Sequence, residues 1–420
     1  MSEVYWAKYV LPSQIILYKK AAYIMKLLKA ELKFQLIIAK NLYFSPLIIL
    51  LFLFMSSPTF ASLPLKGLIF KTNDTMWLSL GGGLRFQAAS RDSDADDSSE
   101  FTINSMRLYI SGQLHDYFKF NINTEKYEGD SMMTIDALLK FEFNSSANLW
   151  LGRTLVPSDR PGLNGPYSGL TWNQYRQPLF SADYDGPAGQ LGRSEGGVFW
   201  GTKERFQYLL GIFEGLENDY GNTDNHFLYA GRLAYNFLNV EPQPGHYYTS
   251  GTYYGSQGNI LTAAVTLQSQ NDGTGSKSES GDFSGYAFDI FAERVLLNKG
   301  VINFEAGYKE IESDFTFARK PHDEAEKCFC LFDGDTFYIT AGYLIPEIIG
   351  LGKLQPYFRH TKNSPADGKN SDTSEWGTNY VLVGSKANIN LNYTHGDANA
   401  SGYPGKRKSK ITLGLQLQFY

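Results

Sequence analysis

The chain has 420 residues and a formal net charge of −5, so its overall charge gives no argument for nucleic-acid binding. Its mean hydropathy of −0.29 excludes a helical membrane protein with many spans. Aromatic residues make up 15% of the chain, which is high for a soluble domain, and 41 residues are glycine. A polar average with many aromatic and glycine residues is expected of a transmembrane β-barrel, because half of each strand faces water.

The first 61 residues differ from the rest and are predicted to be a signal sequence. Residues 47–55 read LIILLFLFM, follow a lysine-bearing stretch and precede small residues that end at Ala61. A charged region, a short apolar run and a small-residue cleavage site are the three parts of a secretory signal. The charged region is long, so Met25 is a candidate for the true start. A membrane anchor over residues 36–55 is the alternative, although polar residues and a proline interrupt it.

Residues 62–420 form the second predicted part of the chain and contain no helical periodicity longer than two turns. Apolar and polar positions alternate in sixteen runs of about 8 to 14 residues, the length that a tilted strand needs to cross a bilayer. The runs cover residues 77–88, 101–114, 118–128, 134–143, 148–156, 194–202, 206–214, 225–237, 258–268, 283–295, 300–311, 335–345, 353–361, 376–386, 388–395 and 409–420.

The connections between these runs alternate in length. Short turns such as 115–117 alternate with long polar loops, among them 89–100, 269–282 and 362–375. The connection 238–257 is an exception, because it is long where a short turn is expected. Short turns at one end and long loops at the other are typical of an outer-membrane barrel, whereas a soluble β-sandwich gives no reason for this sorting. We therefore predict an all-β, antiparallel transmembrane barrel, most simply of sixteen strands, with closed edges.

Residue parity predicts which side chains face lipid and which face the interior. In the second run, Leu108 is expected on the lipid side and Arg107 on the channel side. In the last run, Leu415 and the apolar residues that alternate with it are expected to face lipid, and Gly414 is expected to face the channel. The chain ends on Phe419 and Tyr420, so the aromatic end typical of such barrels is shifted by one position.

The third long loop, residues 158–193, is the longest unpaired stretch, at 36 residues. Loops of this length are usually functional or disordered, and its aromatic residues favour packing over disorder. We expect it to fold into the barrel and narrow the channel. Its charges would then either place a transverse field across the pore or only fix the loop to the wall. They are Asp159, Arg160, Arg176, Asp183, Asp185 and Arg193.

Parity also places charged residues of both signs on the interior faces of the strands. The acidic ones are Glu125, Asp136, Glu142, Asp289, Glu293 and Glu305, and they roughly cancel the basic ones. A strong anion filter needs a ring of one sign, which this balance does not provide. Outside the third loop, the predicted pore-lining residues are Arg107, Lys119, Arg153, Arg232, Lys309 and Arg359.

Several segments share a strand-and-turn texture with a known family. They are residues 107–125, 135–143, 149–167, 246–264 and 354–360. These segments resemble the phosphate-selective porin O and P family, and the resemblance covers most of residues 62–420. It implies a sixteen-stranded, trimeric anion channel of the outer membrane, and it would account for the long connection at 238–257. The family's arginine ladder and lysine cluster have no residue-by-residue match here.

Motifs for catalysis or metal binding are weak. Residues 192–196 satisfy G-x-S-x-G, but a nucleophile elbow needs a strand before the serine and a helix after it, and neither is expected here. The acidic stretch 92–100 lacks the glycine of an EF-hand loop, so a solvated loop is favoured over divalent bridging to lipopolysaccharide. Cys328 and Cys330 are too close in sequence for a structural disulfide and are interpreted as an incidental pair.

The sequence thus predicts a porin of the bacterial outer membrane that gives passive diffusion to small hydrophilic solutes or ions. The resemblance adds anions such as phosphate as solutes and a homotrimer as the assembly. Membrane lipid and lipopolysaccharide are the expected partners; no catalytic residue, metal, cofactor or nucleic-acid partner is predicted. Two alternatives remain open, an adhesin or receptor barrel and a barrel hydrolase that uses Ser194.

Overall fold

A computed structural model describes residues 65–92, 98–127, 131–173, 178, 192–215, 226–242, 249–276, 279–316 and 331–420. The chain divides into two compact units, 1–62 and 63–420, and all described residues belong to the second. No helix in these ranges is long and apolar enough to cross a membrane. Several predictions fall outside the described residues: the signal sequence, Met25, Arg176, Asp183, Asp185, Cys328 and Cys330.

The described unit is an antiparallel β-barrel in which each strand pairs with the next one in the sequence. Sixteen strands form the closed wall, because the last strand returns to pair with β2. The elements are β1 (Leu68–Lys71), β2 (Trp77–Asp92), β3 (Ser98–His115), β4 (Phe118–Tyr127), β5 (Met133–Asn144), β6 (Ala147–Leu155), α1 (Arg160–Leu163), β7 (Arg193–Lys203), β8 (Phe206–Phe213), β9 (Leu228–Asn236), β10 (Ile260–Ser276), β11 (Glu279–Val295), β12 (Val301–Ser313), β13 (Gly334–Leu344), β14 (Lys353–Pro365), β15 (Ser371–Val383), β16 (Ala387–Gly396) and β17 (Lys408–Phe419).

The barrel closes at a seam where two strands share one edge of β2. Strand β17 pairs with β2 from Asp92 down to Gly82, where its partner is Phe419. The short strand β1 continues the same row below that point and pairs Leu68 with Leu80. The sixteen predicted strands are confirmed as β2 to β17, whereas β1 was not predicted because four residues are too few to show an alternating pattern.

Three of the predicted long loops are wrong, because much of their length is strand. In the 89–100 segment, β2 and β3 remain paired up to Arg91 and Ser98. In the 269–282 segment, β10 and β11 remain paired up to Ser276 and Glu279. In the 362–375 segment, β14 and β15 pair up to Asn363 and Ser371. These extensions carry polar residues on both faces, so the hydrophobic alternation disappears. Backbone pairing does not need that alternation, and the strands continue past the apolar band.

The two faces of the wall follow the predicted parity. Leu108 is 53% exposed on the outside, whereas its neighbour Arg107 is 3% exposed inside. In β17, Leu415 and Leu417 are exposed on the outside and Gln416 is buried. Side chains that face outward include Leu139, Leu151, Leu210, Ile212, Tyr229, Leu233, Val265, Leu267, Phe288, Phe304, Phe337, Trp376 and Leu391, all of them apolar or aromatic. A contiguous apolar outer surface of this kind is suited to lipid contact.

Candidate functional site in the barrel interior

The described part of the third long loop, residues 157–173, lies inside the barrel. We call it the interior loop. Its polar groups bond to side chains of strands from all around the wall, and a segment with contacts on every side of a closed barrel must lie within it. The contacts include Gln268 of β10 to the Pro157 carbonyl (2.7 Å), Asn379 of β15 to the Leu170 carbonyl (2.9 Å), Gln416 of β17 to the Tyr167 carbonyl (3.0 Å) and Ser105 of β3 to the Tyr167 hydroxyl (3.1 Å).

A short helix at the start of the interior loop carries its main anchor. Asp159 caps α1 by accepting from the Gly162 amide at 3.3 Å, and Pro161 supplies a fixed φ for the first turn. The Arg160 guanidinium then makes two parallel bonds to Glu241, at 2.9 and 2.5 Å. Both side chains are almost fully buried. A bidentate pair of this kind fixes direction as well as charge.

Four further charges complete an ion-paired cluster around Arg160 and Glu241. Arg232 of β9 bonds both carboxylate oxygens of Asp289 in β11, at 2.5 and 2.9 Å. Lys309 of β12 contacts Asp159 at 3.0 Å. The ion-paired cluster therefore contains three cations and three carboxylates: Arg160, Arg232 and Lys309 with Asp159, Glu241 and Asp289. Because each buried charge has a partner, the cluster is neutral and holds the loop to the wall.

Arg160 and Glu241 lie on connecting segments, and each stabilises the charged form of the other. Burial alone would raise the pKa of Glu241, but the Arg160 charge and its hydrogen bonds reverse this and hold the pKa below its usual value. Burial alone would lower the pKa of Arg160, and Glu241 reverses that effect as well. Both groups are therefore charged at neutral pH.

The connection between β9 and β10 also enters the barrel, from the opposite end to the interior loop. Its described part after residue 248, here called the second insertion (residues 249–257), meets the interior loop where the Gly251 amide donates to the Ser168 carbonyl at 3.0 Å. On the wall side, the amides of Tyr253 and Gly255 donate to Glu293 of β11, at 2.7 and 2.8 Å. This inward course explains why a connection at the short-turn end is long.

The side of the interior formed by β5 to β12 is closed. Here the inward faces carry large apolar side chains that pack against Val156, the residue after β6, and Leu163 of the interior loop. A cavity beside Arg160 and Glu241 has a volume of only about 30 Å³. We call this the closed side. Its apolar cluster contains Leu138, Trp150, Leu155, Val198, Trp200, Phe213, Leu228, Ala230, Phe283, Ala287 and Ile311 from the wall and loop.

On the opposite wall, glycine residues leave the space that the aromatic rings of the interior loop occupy. A Cβ placed on Gly414 of β17 would lie 2.5 Å from the Trp172 ring, and one on Gly83 would lie 2.8 Å from Tyr167. Only glycine permits this approach. On its other face Trp172 lies under the Arg85 guanidinium, whose carbon is 3.8 Å from the ring centroid.

A larger cavity opens above Trp172 at the long-loop end, between β2, β3 and β15 to β17. Its volume is about 410 Å³, and we call it the vestibule. Among the described residues, five cations line it against one carboxylate, that of Asp397, which pairs with Arg407. Glu100 lies beside the vestibule and pairs with Arg91 and more distantly, at 3.9 Å, with Lys410. The five cations are Arg85, Arg91, Lys406, Lys408 and Lys410.

Most of the predicted interior cations are buried beside acidic or polar partners. Arg107 bonds Glu125 at 2.8 Å, Arg193 bonds Asp136 at 2.8 Å, and Lys119 bonds Glu142 at 2.6 Å. Arg359 donates to Thr171 of the interior loop at 3.3 Å. Together with Arg160, Arg232 and Lys309, these residues lie inside the barrel but are brought together as pairs and not as a ring of one sign.

Arg153 is misplaced by the sequence prediction, because it does not line the interior. It shares the outer face of β6 with Leu151 and pairs with Glu195 of β7, at 3.3 Å. Arg153 follows Gly152, which has a φ of +122° and tolerates a backbone distortion near the end of β6. The outward side of a strand near its end lies at the level of lipid headgroups, where a charged pair is tolerated.

The cations of the vestibule were not among the predicted site residues. Arg85 and Gln87 lie in β2 and alternate with Leu84 and Phe86, so the parity used elsewhere would have placed them inside. Lys406 and Lys408 follow a long loop and carry no strand pattern that could show their direction. Sequence reasoning concentrated on the third loop and left the last loop unexamined.

Chemistry other than solute contact finds little support in the interior. The hydroxyl of Ser194 is buried and accepts from the Gly215 amide at 2.9 Å, so it is used as a structural acceptor. Within the described ranges, no group of three or more His, Cys, Asp or Glu side chains is placed to hold a metal ion. The described interior has a closed side with a buried apolar cluster and an open side at the vestibule.

No family model matches the chain, and no curated protein matches it. Solved structures with the same fold include OmpF of Salmonella typhi, determined with daunomycin (TM-score 0.55, 13% identity, 84% of this chain and 100% of that chain). Another is an in-vitro folded OmpT of Vibrio cholerae, described as the trimer form. It has a TM-score of 0.51 and 12% identity, and the match covers 82% of this chain and 100% of that chain. OprB of Pseudomonas putida has a TM-score of 0.50 and 9% identity, and the match covers 81% of this chain and 93% of that chain.

These identities are low, so the likeness shows the fold alone. The fold is that of bacterial outer-membrane β-barrels, including porins, and it agrees with the apolar outer face described above. Barrel and outer face together fit a location in the bacterial outer membrane.

Proposed function

We propose that the protein is an outer-membrane porin that allows passive diffusion of small hydrophilic solutes and ions, with a preference for anions such as phosphate. The observation that carries this proposal is the vestibule. It opens at the long-loop end of a barrel with an apolar outside, and the part of its lining that the structure describes carries five cations and one carboxylate. Cations around an entrance raise the local concentration of anions.

The proposed mechanism needs no chemical step. The interior loop and the second insertion fill the closed side, and the tip of the loop also reaches the wall formed by β14 to β3. Solutes enter at the vestibule and pass along that wall. There the inward faces present hydroxyl and amide groups, which replace part of a solute's hydration shell. The ion-paired cluster serves to hold the loop in place, so the width of the path depends on it. Of the two roles considered for the loop charges, anchoring is favoured for Arg160 and Asp159.

The proposal extends to the assembly and its surroundings. A homotrimer is the expected state, since the OmpT structure with the same fold is described as a trimer. The long-loop end would face outward and contact lipopolysaccharide, and the apolar band would contact membrane lipid. Chemical crosslinking of the detergent-folded protein tests the assembly: a ladder ending at three chains is expected, and a single band under the same conditions would contradict it.

Planar-bilayer recordings test the channel itself. Folded protein should insert in steps of equal, ohmic conductance, because the path is a fixed polar surface. In a salt gradient, the reversal potential should have the sign of anion preference. A bilayer that stays closed although the protein is folded would contradict the porin and favour a receptor barrel. A cation-selective reversal potential would contradict only the anion preference.

A further inference from the structure

The cations of the vestibule are arranged along the seam between β17 and β2 and not in one plane. Arg91 and Lys410 are register partners near the mouth. Arg85 lies six residues further along β2, which is about 20 Å deeper at roughly 3.4 Å per residue. Lys406 and Lys408 lie at the outer edge. The positive charge therefore extends from the mouth to the inner end of the vestibule.

Arg85 is held rigidly at that inner end. Its guanidinium covers the Trp172 ring and donates to the Trp172 carbonyl at 3.0 Å. Trp172 is itself fixed, because its indole nitrogen donates to the Gln87 side-chain oxygen at 3.0 Å and its ring rests on Gly414. A cation fixed by its surroundings loses little entropy when it binds a ligand.

Apart from the cations and Asp397, the described vestibule wall is neutral and rich in hydrogen-bonding groups. Asn104, Asn173, Thr394 and Asn399 line it together with Gln87. The bond from Trp172 uses the Gln87 oxygen and leaves the Gln87 amide hydrogens as donors toward the vestibule. Amides and hydroxyls of this kind match the hydroxyl groups of a sugar, which both donate and accept, whereas an inorganic anion mainly accepts and so uses chiefly their donor groups.

The volume of the vestibule also suits a ligand of the size of a sugar. At about 410 Å³ the vestibule falls within the range of small-molecule pockets, roughly 300–1,000 Å³. An inorganic phosphate would use the cations and leave most of this space to water. A molecule with one anionic group and several hydroxyls would use the cations and the neutral wall at once.

We propose that the vestibule is a binding site for small polyhydroxylated anions, that is, sugar phosphates or sugar acids. The anionic group would contact Arg85 or the outer lysines, and the hydroxyls would bond the amides and Thr394. The inference rests on the proposed porin function, which it makes more specific. Sites that bond a ligand's hydroxyls reject analogues without them, because the site's polar groups are then left unpaired.

The test measures block of single-channel current by glucose 6-phosphate, inorganic phosphate and glucose, each added at the long-loop end. Glucose 6-phosphate should block the current at a concentration at least about tenfold lower than glucose or inorganic phosphate needs. One added charged hydrogen bond, or several neutral ones, would give a difference in affinity of this size. In Arg85→Gln and Lys408→Gln the advantage of glucose 6-phosphate over glucose should fall about tenfold, because only the charged probe uses these cations. Lys203→Gln, an exposed lysine at a short turn, is the matched control and should leave it unchanged.

The outcomes separate the two proposals. Equal block by phosphate and glucose 6-phosphate in a conducting protein would overturn this site and leave the porin standing. If no current is seen, tryptophan fluorescence of the detergent-folded protein still reports binding beside Trp172. Saturable quenching by glucose 6-phosphate but not by glucose would then support the site without the channel, and no change would overturn it. Lys408→Gln at the outer edge covers the case in which Arg85→Gln does not fold.

Discussion

The two sides of the barrel interior use the same residue types for different purposes. On the closed side, Arg160, Arg232 and Lys309 are at most 4% exposed, and each contacts a carboxylate. Among the described residues that line the vestibule, cations outnumber carboxylates. Arg85 at its inner end is only 2% exposed, whereas Lys408 remains exposed at the edge. A buried and paired cation contributes to the fold, whereas an accessible one is available to a solute. Charge counts along a sequence cannot separate these two roles.

The largest expected effect is on stability, when a charge is removed from the closed side. Arg160→Met leaves Glu241 buried without its bidentate partner, and the free energy of unfolding should fall by about 3–5 kcal/mol. Urea unfolding of the detergent-folded protein, followed by tryptophan fluorescence, measures this. Arg153→Met is the matched control, because it removes a partly exposed arginine on the outer face and should cost about 1 kcal/mol or less. Equal losses in both variants would contradict the comparison.

Acid should weaken the same anchor by a smaller amount. Because the pKa of Glu241 is lowered in the folded protein, its contribution to stability is present above the free-carboxyl value of 4.5 and is lost as the pH falls through the folded value. Below pH 4.5 the interior loop should loosen, and single-channel conductance should rise. Glu241→Gln should already show the higher conductance at neutral pH and little further change in acid. An unchanged acid response in that variant would assign the effect to another group.

A third variant tests the contact between the interior loop and the open wall. Gly414→Val places a side chain where the Trp172 ring lies, and the displacement should cost about 1–3 kcal/mol. Because Trp172 holds Arg85 in place, anion preference should weaken in the same variant. Reversal potential and urea unfolding measure the two effects. Loss of stability without a change in preference would show that Arg85 does not depend on Trp172.

The smallest effect on stability, about 0.5 kcal/mol or less, is expected from charge reversal at the outer edge of the vestibule. Lys406→Glu combined with Lys408→Glu changes the charge by four units at accessible positions. The reversal potential should move toward cation preference while the unfolding curve stays in place. A large loss of stability here would mean that these lysines are anchors as well.

The fold was largely predictable because alternation is a local signal. Leu108 and Arg107, or Leu415 and Gln416, show their faces through parity alone. The inward course of the second insertion was not predictable, because the bonds from Tyr253 and Gly255 to Glu293 join residues far apart in sequence. Prolonged pairing of β10 and β11 was also missed, since polar residues on both faces remove the pattern.

The candidate site was predictable only in part, for a related reason. Parity placed Arg232 and Lys309 inside but could not show that Asp289 and Asp159 neutralise them. Arg85 carried the same parity signal and was overlooked within an apolar run. Lys408 lies beyond the apolar band. There both faces of the strand are polar, so parity does not show which face points inward. Whether an interior charge is paired depends on loop placement, which the strand pattern does not contain.

Strand β1 bears on how the barrel completes its folding. Every other neighbouring pair in the wall is local in sequence, but β17 must find β2 across more than 300 residues, which makes it the slowest contact to form. A slip of one residue in that pairing would turn Leu413 and Leu415 inward. β1 is a local neighbour of β2 and occupies the pairing positions below Gly81. It therefore leaves β17 an edge of β2 that ends at Gly82, which limits how far the last strand can extend along it.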